Sequence, residues 1–142
     1  MPRLSIVIPL SGTVQHLEDS LVSVLENRPA DCEIIVVLNR RYDDPYELHD
    51  EVTFVRARRG SGLVQCINLG IESSRSEVVH LLRCGTEVNP GWADAALVQF
   101  HDPAVGVVAP LVLRLDDPQR VVSAGWEFGE GGAASARGAG TG

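Results

Sequence analysis

Two short, largely apolar runs with one amphipathic stripe between them constrain this chain most. Leu4-Ser-Ile-Val-Ile-Pro9 and Cys32-Glu-Ile-Ile-Val-Val-Leu38 are rich in β-branched residues. Runs of that length and kind read as strands buried on both faces. Pro9 ends the first, because proline has no N–H to give to a ladder. Ser11-Gly12-Thr13 supplies turn and helix-capping residues. Val14, Leu17, Leu21, Val24 and Leu25 then recur at helical spacing, and Asn27-Arg28-Pro29 stops that helix. Strand, helix and buried strand joined by short loops make a βαβ unit, which calls for a parallel sheet.

The pattern continues. Residues 39–50 are polar, with Asp43-Asp44-Pro45 as a turn or helix start, and 52–55 reads as a third strand. Gly60-Ser61-Gly62 opens a helix carrying Leu63, Ile67 and Ile71, and 77–82 is a fourth strand. Asn89-Pro90 begins another helix, with proline in the first turn where its missing N–H costs nothing. That helix carries Trp92, Ala96 and Phe100 and ends at His101-Asp102-Pro103. Residues 105–109 read as a fifth strand, and 111–115 and 120–123 as extended. From Gly129 the composition is nearly all Gly, Ala, Ser and Arg, so 129–142 is expected to be a flexible tail beyond a domain of 1–128.

The chain of 142 residues suits one core of ordinary size. Its net charge is −7, and all twelve basic residues are arginine. An acidic chain lacks the broad basic face that nucleic-acid binding needs. Arg56, Arg58 and Arg59 form a local cluster that reads first as a solvated face, with Arg59 the member suited to more. The three cysteines, Cys32, Cys66 and Cys84, have neither the number nor the spacing of a disulfide framework or a zinc site. No stretch reaches the roughly 18–20 apolar residues of a membrane span. The opening residues are strand-like and too short for a signal peptide. The expected location is the cytoplasm, with peripheral membrane association left open.

An ordered series of motifs resembles the N-terminal half of family 2 glycosyltransferases with a GT-A fold, closest in look to the rhamnosyltransferase-like branch. Leu4–Pro9 looks like the opening strand and Glu33-Ile-Ile-Val-Val37 like the second. Gly62-Leu-Val-Gln-Cys-Ile-Asn68-Leu-Gly70-Ile71 is similar to the family's glycine-to-asparagine helix. Thr86-Glu-Val-Asn-Pro-Gly-Trp92 resembles the segment after the metal motif. Asp102-Pro-Ala-Val-Gly106 and Val122-Ser-Ala-Gly125 follow in order, so the likeness covers residues 4–128. It implies an α/β, Rossmann-like three-layer sandwich with a mostly parallel central sheet. It also implies a nucleotide-sugar donor such as a UDP-, GDP- or dTDP-sugar, a glycan or lipid-linked acceptor, and Mg²⁺ or Mn²⁺.

The departures carry equal weight. Leu10-Ser11-Gly12 stands where the family has Tyr-Asn, and Leu38-Asn39 where it has an aspartate near the base or ribose. The Asp-x-Asp position holds Arg83-Cys84-Gly85, which has no carboxylate. A hard cation prefers carboxylate oxygens, so this tripeptide suits it poorly. Glu87 is close by, as a metal ligand or as a charge favoured by the next helix dipole. Arg83 offers either a bidentate fork to a diphosphate or drift in a non-catalytic copy.

Nucleotide-binding candidates implied by the resemblance are Pro9, Ser11, Asn39, Arg59, Gly62, Asn68 and Arg83; no residue qualifies as catalytic. Each has an ordinary alternative: turn chemistry for Ser11 and Asn39, turn punctuation for the glycines, and a helix tie for Asn68. Trp92 reads as core and Trp126 as surface that further sequence would cover. Two functions of different class follow. One is inverting sugar transfer by a truncated or degenerate glycosyltransferase. The other is a non-catalytic nucleotide-binding or scaffolding module that keeps the fold only. A third, self-association of a small structural domain, is a matter of oligomeric state.

Overall fold

The computed structural model describes all 142 residues, Met1–Gly142. They divide into two compact units, Met1–Asp94 and Ala95–Gly142. The first unit carries a four-stranded parallel sheet of β1 (Leu4–Pro9), β2 (Cys32–Leu38), β3 (Thr53–Arg56) and β4 (Val79–Leu81), in the order β3-β2-β1-β4. Its helices are α1 (Val14–Glu26) and α2 (Leu63–Glu72). The α/β class and parallel sheet expected from the two apolar runs are present.

The two central strands are buried along nearly their whole length, as their largely apolar runs require. Ile6 pairs in register with Ile34, Val7 with Ile35 and Ile8 with Val36, all at 0–1% exposure. Full burial of each such side chain contributes about 1.5–3 kcal/mol. The β1–α1–β2 and β3–α2–β4 connections step in opposite directions along the sheet. Right-handed crossovers therefore place α1 and α2 on opposite faces. The α2 face is built from Val7, Ile35, Val37 and Cys66. Gly70 lets α2 approach: a Cβ added there would stand 2.3 Å from Val7 Cγ1.

Local chemistry sets the ends. Thr13 Oγ1 accepts from His16 N–H at 3.2 Å and caps α1. Gln65 Oε1 accepts from Gly62 N–H at 2.9 Å and fastens the start of α2. Asp43-Asp44-Pro45 leads into a turn, not an α-helix: Glu47 N–H bonds Asp44 O, and Asp44 Oδ1 takes Leu48 N–H ahead of a 3-10 turn at Leu48–Asp50.

Helix α3 (Trp92–Leu97) continues as a 3-10 turn at Val98–His101. The fifth strand expected at 105–109 is absent. Those residues have no ladder partner, and Val107 is exposed, so β-propensity alone does not hold a strand there. The second unit instead pairs β5 (Val112–Leu113) with β6 (Val121–Ser123), and β7 (Trp126–Phe128) with β8 (Ala134–Ala136), both antiparallel. Residues 137–141 return beside β6: Arg137 O accepts from Ala124 N–H and Thr141 O from Val121 N–H. No helix is long and apolar enough to cross a membrane.

Candidate functional site

All four strands run the same way, so their carboxyl ends form one edge. Chain order reverses between β1 and β4. Open α/β sheets bind ligands in the crevice above that reversal. Residues 10–13, 39–41, 57–62 and 82–85 stand at this edge, and 86–91 descend along α1 toward the amino side.

The segment after β4 is stitched to α1. Ser20 Oγ accepts from Gly85 N–H at 2.9 Å and donates to Thr86 O at 2.8 Å. Ser23 Oγ accepts from Val88 N–H at 3.2 Å, and Asn27 Nδ2 donates to Val88 O at 3.1 Å. Gly85, at φ +86°, bonds His16 O through its N–H at 3.0 Å. Ser20 and Ser23 lie in the buried face of α1, where serine is otherwise a poor helix residue. Their place is explained by the loop they hold, so Arg83-Cys84-Gly85 sits on a fixed support.

Cys84 Sγ donates to Pro9 O at 3.1 Å, joining the ends of β4 and β1 across the reversal. Burial pushes this thiol up, against smaller opposing effects of Ser11 and the Arg40 charge. It is a hydrogen-bond donor, not a thiolate nucleophile. Arg83 is exposed and its guanidinium makes no hydrogen bond or ion pair within the chain. Ser11 is half-buried beside Cys84.

At the end of β2, Asn39 O accepts from Gly60 N–H at 3.2 Å and Asn39 Nδ2 donates to Ser61 O at 2.9 Å. That second bond assigns the amide and leaves Asn39 Oδ1 as the buried acceptor without a partner. Ser61 N–H bonds Arg58 O, and Gly62 N–H is taken by Gln65. All three N–H groups of Gly60-Ser61-Gly62 are therefore engaged internally. The orphan N–H groups of the first turn of α2, residues 63–65, remain. Arg59 is exposed without an ion partner.

Asn68 is exposed, its side chain makes no hydrogen bond, and it lies six residues into α2 from Gly62, about 9 Å along the axis. The structure does not bring it to the others. Trp92 packs its ring on His80 at 4.7 Å, with Nε1 buried and unpartnered. Burial holds the His80 imidazole down at about 4, so it is neutral at pH 7 and part of the packing.

One edge residue escaped the sequence reading. Arg40 Nη2 donates to Gly12 O, carrying its charge from the end of β2 to the loop after β1. Its place directly after Asn39, at a strand end, was the available signal.

The divalent cation implied by the resemblance takes hard oxygen ligands. The position offers a guanidinium, a protonated thiol and a glycine. No three His, Cys, Asp or Glu side chains gather to hold an ion. The residues present do not fit the cation.

Known proteins show a consistent likeness. The chain is 30% identical over 127 residues to polypeptide N-acetylgalactosaminyltransferase 12 of Mus musculus, covering 82% of this chain and 22% of that protein. It is 25% identical to the probable polypeptide N-acetylgalactosaminyltransferase 8 of Homo sapiens, covering 78% and 20%. It thus spans about a fifth of the curated relatives it matches. In fold it is similar to the mannosyltransferase PcManGT of Pyrobaculum calidifontis, solved with GDP-Man and Mn²⁺. The TM-score is 0.65 at 21% identity, over 80% of this chain and 36% of that one. It is also similar to S. aureus TarS 1–349, at TM-score 0.56 and 15% identity, over 81% and 43%. The model of glycosyl transferase family 2 matches residues 5–133, nearly the whole sequence, and the chain belongs to that family.

Proposed function

We propose that this chain is the donor-nucleotide half of a family 2 glycosyltransferase, binding a nucleotide-sugar at the carboxyl edge of its sheet. The observation that carries the reading is Asn39 Oδ1, a buried acceptor left without a partner at the end of β2. Leaving such an atom unpaired costs about 1–3 kcal/mol, and a ligand N–H relieves it. Uracil, thymine and guanine each present a ring N–H on their pairing edge. Cytosine and adenine present an acceptor ring nitrogen there with an amino N–H beside it, so CDP and ADP serve as comparisons. UDP, GDP and dTDP, the nucleotides that the resemblance implies, are the expected ones. The resemblance to the rhamnosyltransferase-like branch makes the dTDP arm the test of that finer placement. A cytoplasmic location is part of the same proposal.

In a complete catalyst an acceptor hydroxyl on a glycan or lipid-linked sugar attacks the anomeric carbon. The bond to the diphosphate oxygen breaks with inversion, and a base takes the hydroxyl proton. Among residues 1–142 no carboxylate or neutral imidazole is assigned that task. We expect no turnover from this chain alone; sugar transfer to any acceptor by it defeats that expectation.

Calorimetric titration with the five nucleoside diphosphates tests the donor reading. Saturable binding of UDP, GDP or dTDP, lost in Asn39→Ala, supports it. No binding of any nucleotide overturns it and favours a scaffolding module, the reading that Arg83-Cys84-Gly85 in place of metal ligands recommends.

A further inference from the structure

The twelve arginines fall into two groups. Arg3, Arg28, Arg41, Arg75, Arg114, Arg120 and Arg137 each pair with a carboxylate. The other five, Arg40, Arg56, Arg58, Arg59 and Arg83, pair with none, and all five are exposed. Every one stands at the carboxyl edge of the parallel sheet. Arg40 lies two residues past β2, Arg56 ends β3, Arg58 and Arg59 follow it directly, and Arg83 lies two residues past β4.

The chain does not lack carboxylates, with nineteen Asp and Glu for twelve Arg. Of the acidic side chains close by in sequence, Asp43 bonds Arg41 and Asp44 takes Leu48 N–H, while Glu87, four residues after Arg83, is exposed and pairs with none of the five. Unneutralised like charges gathered on one edge repel one another, and an anionic ligand relieves that. Arg40 and Arg83 flank the reversal itself. Arg40 is tied to Gly12 O, and Arg83 precedes the Cys84 that bonds Pro9 O. The serines of α1 hold the loop behind Arg83.

We propose that Arg40 and Arg83, supported by Arg58 and Arg59, hold the diphosphate of the donor without a divalent cation. The guanidinium fork suits phosphate oxygens bidentately and stays charged at any working pH. The inference rests on the donor-binding reading above and goes beyond it in assigning what replaces the metal.

The test is calorimetry of the 142-residue chain with UDP, GDP and dTDP, in EDTA and again in Mn²⁺. The matching nucleosides and inorganic pyrophosphate are run beside them. At least one diphosphate is expected to saturate in EDTA, with affinity unchanged by Mn²⁺ and falling as salt rises. Arg83→Ala and Arg40→Ala are each expected to weaken the diphosphate by about tenfold or more and leave the nucleoside unchanged. Arg83→Lys is expected to restore only part, since lysine is a point charge. Arg114→Ala, whose arginine is already paired with Asp116, is expected to change nothing.

Arg83 makes no side-chain bond in the fold, so its variants are expected to keep the wild-type circular dichroism. Binding that requires Mn²⁺, or diphosphate affinity indifferent to Arg83 and Arg40, overturns the arginine assignment and leaves the donor reading standing. Absence of binding by nucleosides and diphosphates alike overturns both.

Discussion

The two edges of the same parallel sheet are built in opposite ways. At the amino edge, Glu33 is buried beside its register partner Ser5. Its carboxylate accepts from Ser5 Oγ at 2.5 Å, from Arg75 N–H at 2.6 Å and from Arg75 Nε at 2.8 Å. Burial alone would raise this carboxyl; the bonds from Ser5 and Arg75 outweigh it and hold it below its ordinary value. Within this cluster cation, anion and hydroxyl are all satisfied, while Ser76 Oγ next to it is buried without a partner. At the carboxyl edge, Asn39 Oδ1 has no partner and five arginines have no counter-charge. A satisfied polar cluster serves stability, and on the donor-binding proposal the unsatisfied one is stability given up for a ligand. The arginines are paired with carboxylates at the amino edge, and five are left unpaired at the carboxyl edge.

The sharpest way to break the contrast is Glu33→Ala. It strands the buried Ser5 hydroxyl and the Arg75 N–H, and is expected to destabilise by about 3 kcal/mol in urea unfolding. A loss under about 1 kcal/mol would mean that the amino edge is not the anchored one.

Acid is expected to act nearly as strongly, in two stages. His80 has its folded value at about 4 against 6.5 for the free side chain. The unfolded chain therefore takes up the proton first, and stability falls between pH 6.5 and 4, by at most about 3 kcal/mol. Glu33, lowered in the fold, contributes stability present above pH 4.5 and lost as pH falls through its depressed value. Stability measured against pH in wild type and His80→Phe separates the stages: the variant is expected to lose the upper one only.

Gly70→Ala probes the platform that both edges share. The new methyl meets Val7 Cγ1 at 2.3 Å and Val37 Cγ2 at 3.1 Å, so α2 must lift from the sheet. The expected cost is about 1–3 kcal/mol, read as a shift in unfolding midpoint. An unchanged midpoint would mean that α2 relaxes freely.

The smallest effects on stability belong to the carboxyl edge. Alanine at Arg56, Arg58, Arg59 or Arg83 is expected to leave unfolding within about 0.5 kcal/mol of wild type, with any change toward greater stability from relieved repulsion. A loss above about 1 kcal/mol at any of them would reveal a partner in the fold and weaken the contrast.

Much of the frame was legible because it is local. The β-branched stretches Ile6-Val7-Ile8 and Ile34-Ile35-Val36-Val37 read as buried strands, and the stripe from Val14 to Leu25 reads as a helix covering them. The same local reading failed at 105–109. A strand needs a neighbour to pair with, and nothing in five residues says whether one will be there. At the site, Asn39 and Arg83 were readable as strand-end residues in an ordered set of motifs. Asn68, taken from that same set, is placed by its helix away from the edge.

The sequence by itself determined the alternation of strands and helices, the family resemblance and the loss of carboxylates at Arg83-Cys84-Gly85. These are properties of consecutive residues. Only the tertiary structure decided that Ser20, Ser23 and Asn27 secure a loop more than sixty residues away. It alone showed that the N–H groups of Gly60-Ser61-Gly62 are spent and that the unpaired arginines share one edge. Hydrogen bonds and ion pairs are made between groups that folding brings together. Whether a polar side chain is satisfied is therefore a fact of the packed chain, not of its neighbours in sequence.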